Sequence, residues 1–334
     1  MIVRKYPADF GHTTVINNLC TQLQKMGYKV GIGAFKFTSS PPENVEQVKL
    51  NKFKLFFHGI KILNYDVLFL HQSYPSYYLL TKNHHKRVIL YYHGASNRLQ
   101  RINFRISMML YKKRITKIMA VSQAGINQMK KMIGDISAEV IYNGVDTTFY
   151  NSDLSRPYTK GEPQLLFVSA LRPYKKASLL ISFMPDLLKK YPKIHLQIVG
   201  TGEQKLLLEN LVKKLKLENH VELTGRIDDD QLKLRYSSCD VYVSPSTFEV
   251  CPVPTLEAMA CGKPLVLFDI EPHQEIINIS NAGKIFSLDK NSDFITILDE
   301  VYKNKDLYKK SALKFIKFHD WKSVTKQLIQ TLDE

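Results

Sequence analysis

Short runs of consecutive apolar residues alternate along the chain with longer stretches whose apolar positions recur every three or four residues. The runs read as buried parallel strands and the stretches as the helices that cover them, so an α/β architecture is expected. In the first half the strand candidates are Tyr28 to Gly33, Asp66 to His71, Arg87 to His93, Ile118 to Val121 and Glu139 to Tyr142, with a helix over about Thr13 to Met26. The second half repeats the scheme at Gln164 to Ser169, Ile194 to Gly200, Val221 to Thr224, Asp240 to Pro245 and Pro264 to Phe268, with a helix over Lys205 to Lys216. Met1 to Pro7 is left open as a strand. Asn151 to Pro163, rich in Ser, Pro, Gly and charge, is the expected linker, which puts a boundary at residue 150. The chain's 334 residues suit two domains of about 150 each. Two doubly wound, Rossmann-like domains facing across a cleft would hold a ligand outside the carboxyl ends of their strands.

Composition removes several classes. With 44% apolar and 23% charged residues the chain is globular rather than disordered or low-complexity. No apolar run approaches the roughly 20 residues of a membrane helix, and Met1 to Gly11 holds no signal-peptide stretch, so neither spanning nor export is expected. Cys20, Cys239, Cys251 and Cys261 lack zinc-site spacing and disulfide density; reduced thiols and a cytoplasmic setting are the expectation. Charge is unevenly spread. Residues 1–150 carry 21 Lys and Arg against 7 Asp and Glu, and residues 151–334 carry 26 against 24. Such asymmetry speaks of partners: a nucleic acid, an anionic membrane or a phosphorylated substrate.

The strongest chemical signal runs from Glu249 to Gly262, after a strand ending in Ser244-Pro245-Ser246. On one continuous helix Glu249 and Glu257 would lie about 12 Å apart along the axis, too far for a glycosidase pair. Pro252 and Pro254 break the segment anyway, so Glu249 is expected in a loop and Glu257 in the first turns of the next helix. The helix start, near Pro254, should aim the N–H groups of Thr255 and Leu256 at a phosphate. A carboxylate beside that phosphate suits a diol such as ribose, whose hydroxyls donate to it. Ser169 to Ile181 supplies Arg172 and Lys175 at another strand-to-helix junction, where cations would stabilise a departing diphosphate.

Glu249-x7-Glu257 with the following Ala258-Met259-Ala260-x-Gly262-x-Pro264 resembles the signature of retaining glycosyltransferases of family 4, with the GT-B fold. Val199 to Gly202, Thr224 to Arg226, Ser122 and Asn143 to Asp146 stand where that family has similar residues. The resemblance implies that Glu257 grips the nucleotide ribose, that Glu249 lies against the donor sugar, and that Gly200, Arg226 and Val253 belong to the donor site. Lys175 matches the family's lysine. Lys176 takes a usual Gly position, and Arg172 stands in for an arginine common at Ala170. Pro252 occupies another usual Gly position. Asp9 to Thr13 resembles the family's glycine loop with Gly11 alone retained, and His93 matches a station that hydrogen-bonds the donor sugar as a neutral ring. Phe318 to Leu332 resembles a terminal helix, here 316–334, that crosses back to the first domain. Hexosyl transfer from a UDP- or GDP-sugar to a lipid-linked or saccharide acceptor is implied, without a cofactor or metal. Asp228-Asp229-Asp230 reads as a capped turn.

From Arg98 to Lys131 nine basic residues interleave with Ile102, Phe104, Ile106, Met108, Met109, Leu110 and Tyr111, and no acidic residue intervenes. This basic amphipathic pattern suits an anionic membrane face, or else an apolar side packed on its own sheet. No nucleic-acid motif accompanies it. A sugar-nucleotide epimerase of the same fold and a non-catalytic docking module are the rival functions.

Overall fold

In both halves the apolar runs become strands, and in Ile2–Tyr6, Gln164–Val168, Val241–Ser244 and Leu265–Phe268 alternate side chains feed two separate cores. The computed structural model describes residues 1–8, 12–51, 65–82, 87–288 and 293–333. The chain divides into an N-terminal unit, Met1–Gly144 with Trp321–Glu334, and a C-terminal unit, Val145–Asp320.

Among the described residues the N-terminal unit holds a parallel sheet of β1 (Ile2–Tyr6), β2 (Gly31–Phe37), β3 (Glu46–Lys49), β4 (Val67–His71), β5 (Arg87–Tyr92), β6 (Lys117–Ala120) and β7 (Glu139–Val140). Its order is β3-β2-β1-β4-β5-β6-β7. The C-terminal sheet comprises β8 (Gln164–Val168), β9 (His195–Val199), β10 (Val221–Gly225), β11 (Val241–Ser244), β12 (Leu265–Phe268) and β13 (Gly283–Phe286), in the order β10-β9-β8-β11-β12-β13. Each order reverses beside its first strand, so the switch points lie at β1/β4 and β8/β11. Alternation is plain in β8, where Leu165 and Phe167 enter one core and Leu166 and Val168 the other. Ile2 and Val3 part company in the same way in β1.

Met1 to Pro7 supplies a central strand, and β3 and β13 have no counterpart among the expected elements. All three carry charge, which hides the apolar period: IVRKY, EQVK and GKIF. The expected strand at Tyr28 to Gly33 begins at Gly31 and runs on to Phe37.

The division falls at Gly144 rather than residue 150, because Val145 and Tyr150 are buried in the C-terminal core. Asn151 to Pro163 is no free linker either. Arg156 reaches Asp240 and the Ser238 carbonyl, each at 3.0 Å, the Tyr158 N–H donates to Ser238 Oγ at 3.0 Å, and Arg235 lies over the Tyr158 ring. Its polar groups found partners on the helix Asp229–Ser238 and on Asp240 just before β11, which composition could not foretell. At the other end one helix closes at Ile316 and the next, Trp321–Asp333, joins the N-terminal unit with Trp321, Val324 and Leu328 buried. A Cβ on Gly144 would lie 2.7 Å from the Trp321 ring, so only glycine lets that helix seat there. No described helix is long and apolar enough to cross a membrane.

Candidate active site

In the C-terminal unit the loops after β8, β9 and β11 are laced together at the switch point. The Leu171 N–H donates to the Thr201 carbonyl at 3.0 Å and the Gln204 N–H to the Leu171 carbonyl at 3.0 Å, joining the β8 and β9 loops. Gly200, at φ +134°, makes that possible, since a Cβ there would sit 1.9 Å from the Ser169 carbonyl oxygen. From the other side, the Thr247 N–H and hydroxyl both donate to the Tyr174 carbonyl, at 2.8 and 3.0 Å. Pro173–Lys175 forms a 3₁₀ turn closed by the Lys175 N–H on the Arg172 carbonyl. Lys176, at φ +51°, then turns the chain into the helix Ala177–Lys190. Where glycine would adopt that left-handed conformation freely, a lysine does so at a cost of about 1 kcal/mol.

This bracing brings Lys175 and Glu249 together. The Lys175 ammonium donates to Glu249 Oε1, with the two side chains only 16% and 13% exposed. Glu249 lies in the loop between β11 and the helix Val253–Ala260, and Glu257 in that helix, both as the prolines require. The Tyr236 hydroxyl donates to Glu257 Oε2 at 2.7 Å, yet burial dominates and pushes the Glu257 carboxyl up to about 7. Fully buried Tyr242 feels the charges of both Glu249 and Glu257, and for it too burial is the largest influence, raising its hydroxyl well above the ordinary range. Arg172 is half-buried in the same loop, and Arg226 follows β10 with its side chain exposed.

The helix start differs from expectation. The Thr255 N–H donates to the Pro252 carbonyl at 3.1 Å, so it is not available to a ligand. Leu256 is buried and is the fourth helical residue, where the first regular i→i−4 bond forms. Pro254 has no N–H, which leaves Val253 as the first-turn amide able to face a phosphate.

His273 had no sequence signal. It is fully buried, its Nδ1–H donates to the Phe268 carbonyl at 2.7 Å, and its Nε2 is an acceptor with no partner among the described residues. Burial chiefly lowers its pKa, and the charges of Glu249 and Lys175 reach it. It therefore adds a neutral acceptor beside the ion pair.

His93 lies in the N-terminal unit among rings. His71 Nδ1 and His93 Nε2 share a hydrogen bond at 2.9 Å, and the two rings stack with centroids 5.1 Å apart. Burial holds both far below the usual histidine range, so both are neutral. One nitrogen of His93 is thus already engaged within the protein, by His71. Gly11 lies outside the described residues. Asp228 caps the helix Asp229–Ser238, its carboxylate accepting the Gln231 N–H at 2.7 Å.

The helix Arg98–Tyr111 buries Phe104, Ser107, Met108 and Tyr111 against the N-terminal sheet. Leu99, Ile102, Ile106, Met109 and Leu110 remain exposed, Met109 at 86%, alongside exposed Arg98, Arg101 and Arg105.

Residues 154–317 match the family described as glycosyl transferases group 1, and residues 11–149 the family described as Glycosyltransferase Family 4. An uncharacterized glycosyltransferase of Haemophilus influenzae is 33% identical over 145 residues, 43% of this chain and 40% of that protein. The chain therefore spans about two fifths of the length of that relative. A phosphatidyl-myo-inositol mannosyltransferase of Mycolicibacterium smegmatis is 24% identical over 279 residues, 81% of this chain and 71% of that protein. Anabaena HepE, solved in complex with UDP, superposes with a TM-score of 0.80 at 18% identity, covering 99% of this chain and 98% of that one. With one family matched in each half and two parallel Rossmann-like sheets in this order, the chain belongs to the family 4 glycosyltransferases and has the GT-B fold.

Proposed function

We propose that this protein is a retaining glycosyltransferase that moves a hexose from a UDP-sugar, held by the C-terminal unit, to an acceptor received by the N-terminal unit. The observation that carries the reading is the convergence of Lys175 and Glu249, on loops tied across the β8/β11 switch point, with Glu257 on the helix that follows. As the glycosidic bond breaks, charge gathers on the diphosphate. Lys175 and Arg172, on braced loops, meet that charge without having to reorganise. Glu249 aims Lys175 and offers its remaining oxygen to the donor sugar. Glu257 accepts from the ribose hydroxyls, and the Val253 amide supplies the donor at the helix start. The acceptor hydroxyl bonds to the anomeric carbon on the face the diphosphate leaves, and its proton passes to a departing phosphate oxygen. Configuration is retained.

The acceptor is read as lipid-linked. Helix Arg98–Tyr111 shows bulk apolar side chains flanked by cations, a surface complementary to an anionic bilayer. HepE binds UDP, and the mycobacterial relative is named for a lipid substrate, which supports both halves of the reading.

The test begins with UDP and GDP in a thermal-shift series. UDP should stabilise the protein, Glu257→Ala should abolish the effect, and NMR of the product should show the donor's anomeric configuration. Indifference to UDP, or an inverted product, overturns the reading. For the membrane, vesicles of phosphatidylcholine with phosphatidylglycerol should bind the protein. Replacing Arg98, Arg101 and Arg105 by Gln removes about 1 kcal/mol each and should weaken binding roughly a hundredfold.

A further inference from the structure

His71, Tyr91 and His93 gather their rings at the carboxyl ends of β4 and β5. The strand register pairs His71 with Tyr91, and alternation turns His93, two residues on, to the same face. In the 2.9 Å hydrogen bond between His71 Nδ1 and His93 Nε2 the ring planes differ by only 15°, so the in-plane N–H of one ring can meet the in-plane lone pair of the other. Both rings are neutral, so one must donate and the other accept. Tyr91, its hydroxyl tied to the Ile141 carbonyl at 2.8 Å, lies with its centroid 5.7 Å from that of His71 and 4.7 Å from that of His93, and packs both imidazoles against turning over.

Which ring donates is decided on the far side of His71, whose Nε2 lies 3.1 Å from Met1 Sδ. A thioether sulfur carries no proton and can only accept. An unprotonated Nε2 would set two lone pairs against each other there, whereas an Nε2–H donates to the sulfur. A neutral imidazole has one N–H, so His71 Nδ1 is left as an acceptor and takes the Nε2–H of His93. His93 in turn has its proton on Nε2 and a bare Nδ1. Among the described residues that nitrogen has no hydrogen-bond partner, and His93 is 8% exposed where His71 is 1%. A sulfur at one end of this chain of bonds thereby sets the polarity of the nitrogen at the other.

We propose that His71, backed by the Met1 sulfur, is a positioning residue that holds His93 in its Nε2–H tautomer, so that His93 meets the transferred sugar as the acceptor of a hydroxyl's hydrogen bond and not as an N–H donor. The inference rests on the reading that the protein binds a UDP-sugar, and because the tautomer is read without ligand the test separates the two. Full-length protein with ¹⁵N-labelled histidine gives long-range ¹H–¹⁵N correlations that report which ring nitrogen is protonated. Protonated Nε2 is expected for both His71 and His93. His71→Phe keeps a ring and removes the acceptor, so His93 should then populate both tautomers. His71→Asn, whose Oδ1 can stand where Nδ1 was, should restore the single one. By calorimetry His71→Phe should bind UDP-glucose about three- to tenfold more weakly, the worth of one neutral hydrogen bond, with its affinity for UDP unchanged, and His71→Asn should recover the difference. A proton on His93 Nδ1 in the wild type, an unmoved tautomer in His71→Phe, or equal weakening of UDP and UDP-glucose overturns the proposal. A wild-type protein that binds neither nucleotide overturns the donor reading instead, while the tautomers still answer for His71.

Discussion

The two switch points answer the same topology with opposite electrostatics. At β8/β11 the cation Lys175 is matched by Glu249, and β8 itself, QLLFV, is apolar after its first residue. At β1/β4 the cations stand on the strand itself, IVRKY, with no acidic residue among the described walls of the cavity beside it. The units follow suit: 23 Lys and Arg against 8 Asp and Glu in the N-terminal unit, and 24 against 23 in the C-terminal one. A self-neutralised site can be buried and rigid, as a site for bond-breaking must be. At the other, Lys5 and Lys36 stand in register on neighbouring strands, like charge beside like. Topology sets where a ligand lies, and charge sets which.

The sharpest break in that contrast comes from Lys175→Ala. Removing one preorganised charge-stabilising group costs on the order of 10² to 10³ in rate. Here it also leaves Glu249 shielded without its partner, so a fall of about 3 kcal/mol in stability is expected beside a loss of at least 10²-fold in sugar transfer. The double variant Lys175→Met/Glu249→Gln should recover stability but not turnover, as read by thermal melts and product formation. Activity within tenfold of wild type in Lys175→Ala would remove the cation from the chemistry.

How visible these sites were from sequence follows the same divide. Strands such as β8 and β12 are buried on both faces and announce themselves as apolar runs, and prolines at 252 and 254 place Glu249 and Glu257 by covalent geometry alone. The β1 strand was obscured by Arg4 and Lys5, which interrupt its apolar run. Lys5 beside Lys36 is a fact of strand register, and no spacing in the chain reports it. The same holds for the Thr255 amide, lost to the Pro252 carbonyl, and for His273, which meets the ion pair only through tertiary packing. Likewise the boundary at Gly144 depends on Trp321, far along the chain.

A middle-sized effect concerns pH. Burial lifts the Glu257 carboxyl to about 7 from an ordinary value of 4.5. Between those values the fold holds a proton that the unfolded chain has released, so this group's contribution makes the fold less stable as pH rises from 4.5 through 7. Buried His71 and His93 act oppositely: their pKa values lie below 6.5, and they destabilise the fold as pH falls. Glu257→Gln isolates the first contribution, and its melting temperature should lose more than wild type's on going from pH 8 to pH 5. UDP binding should run the other way. In the proposed role ribose is held by the carboxylate, which is about nine-tenths ionised at pH 8 and one-tenth at pH 6, so affinity should be roughly tenfold greater at pH 8. Calorimetry of Glu257→Gln should show that tenfold component gone; an unchanged pH profile separates Glu257 from the ribose.

The smallest effect probes the other switch point. Removing Lys36 relieves its repulsion with Lys5, worth about 0.2–1 kcal/mol for like charges in register. Lys36→Gln should therefore raise the melting temperature by about 1–3 °C. The gain should shrink as salt rises from 20 mM to 1 M, since both side chains are exposed and screened. The matching change at the C-terminal site, Glu249→Gln, should lower the melting temperature, because there a charge loses its partner instead of a rival. Opposite signs for these two neutralising substitutions follow from one site whose opposite charges pair and another whose neighbouring strands carry like charges in register. A fall with Lys36→Gln would mean that Lys36 has a stabilising partner within the fold, and the contrast between the two switch points would vanish.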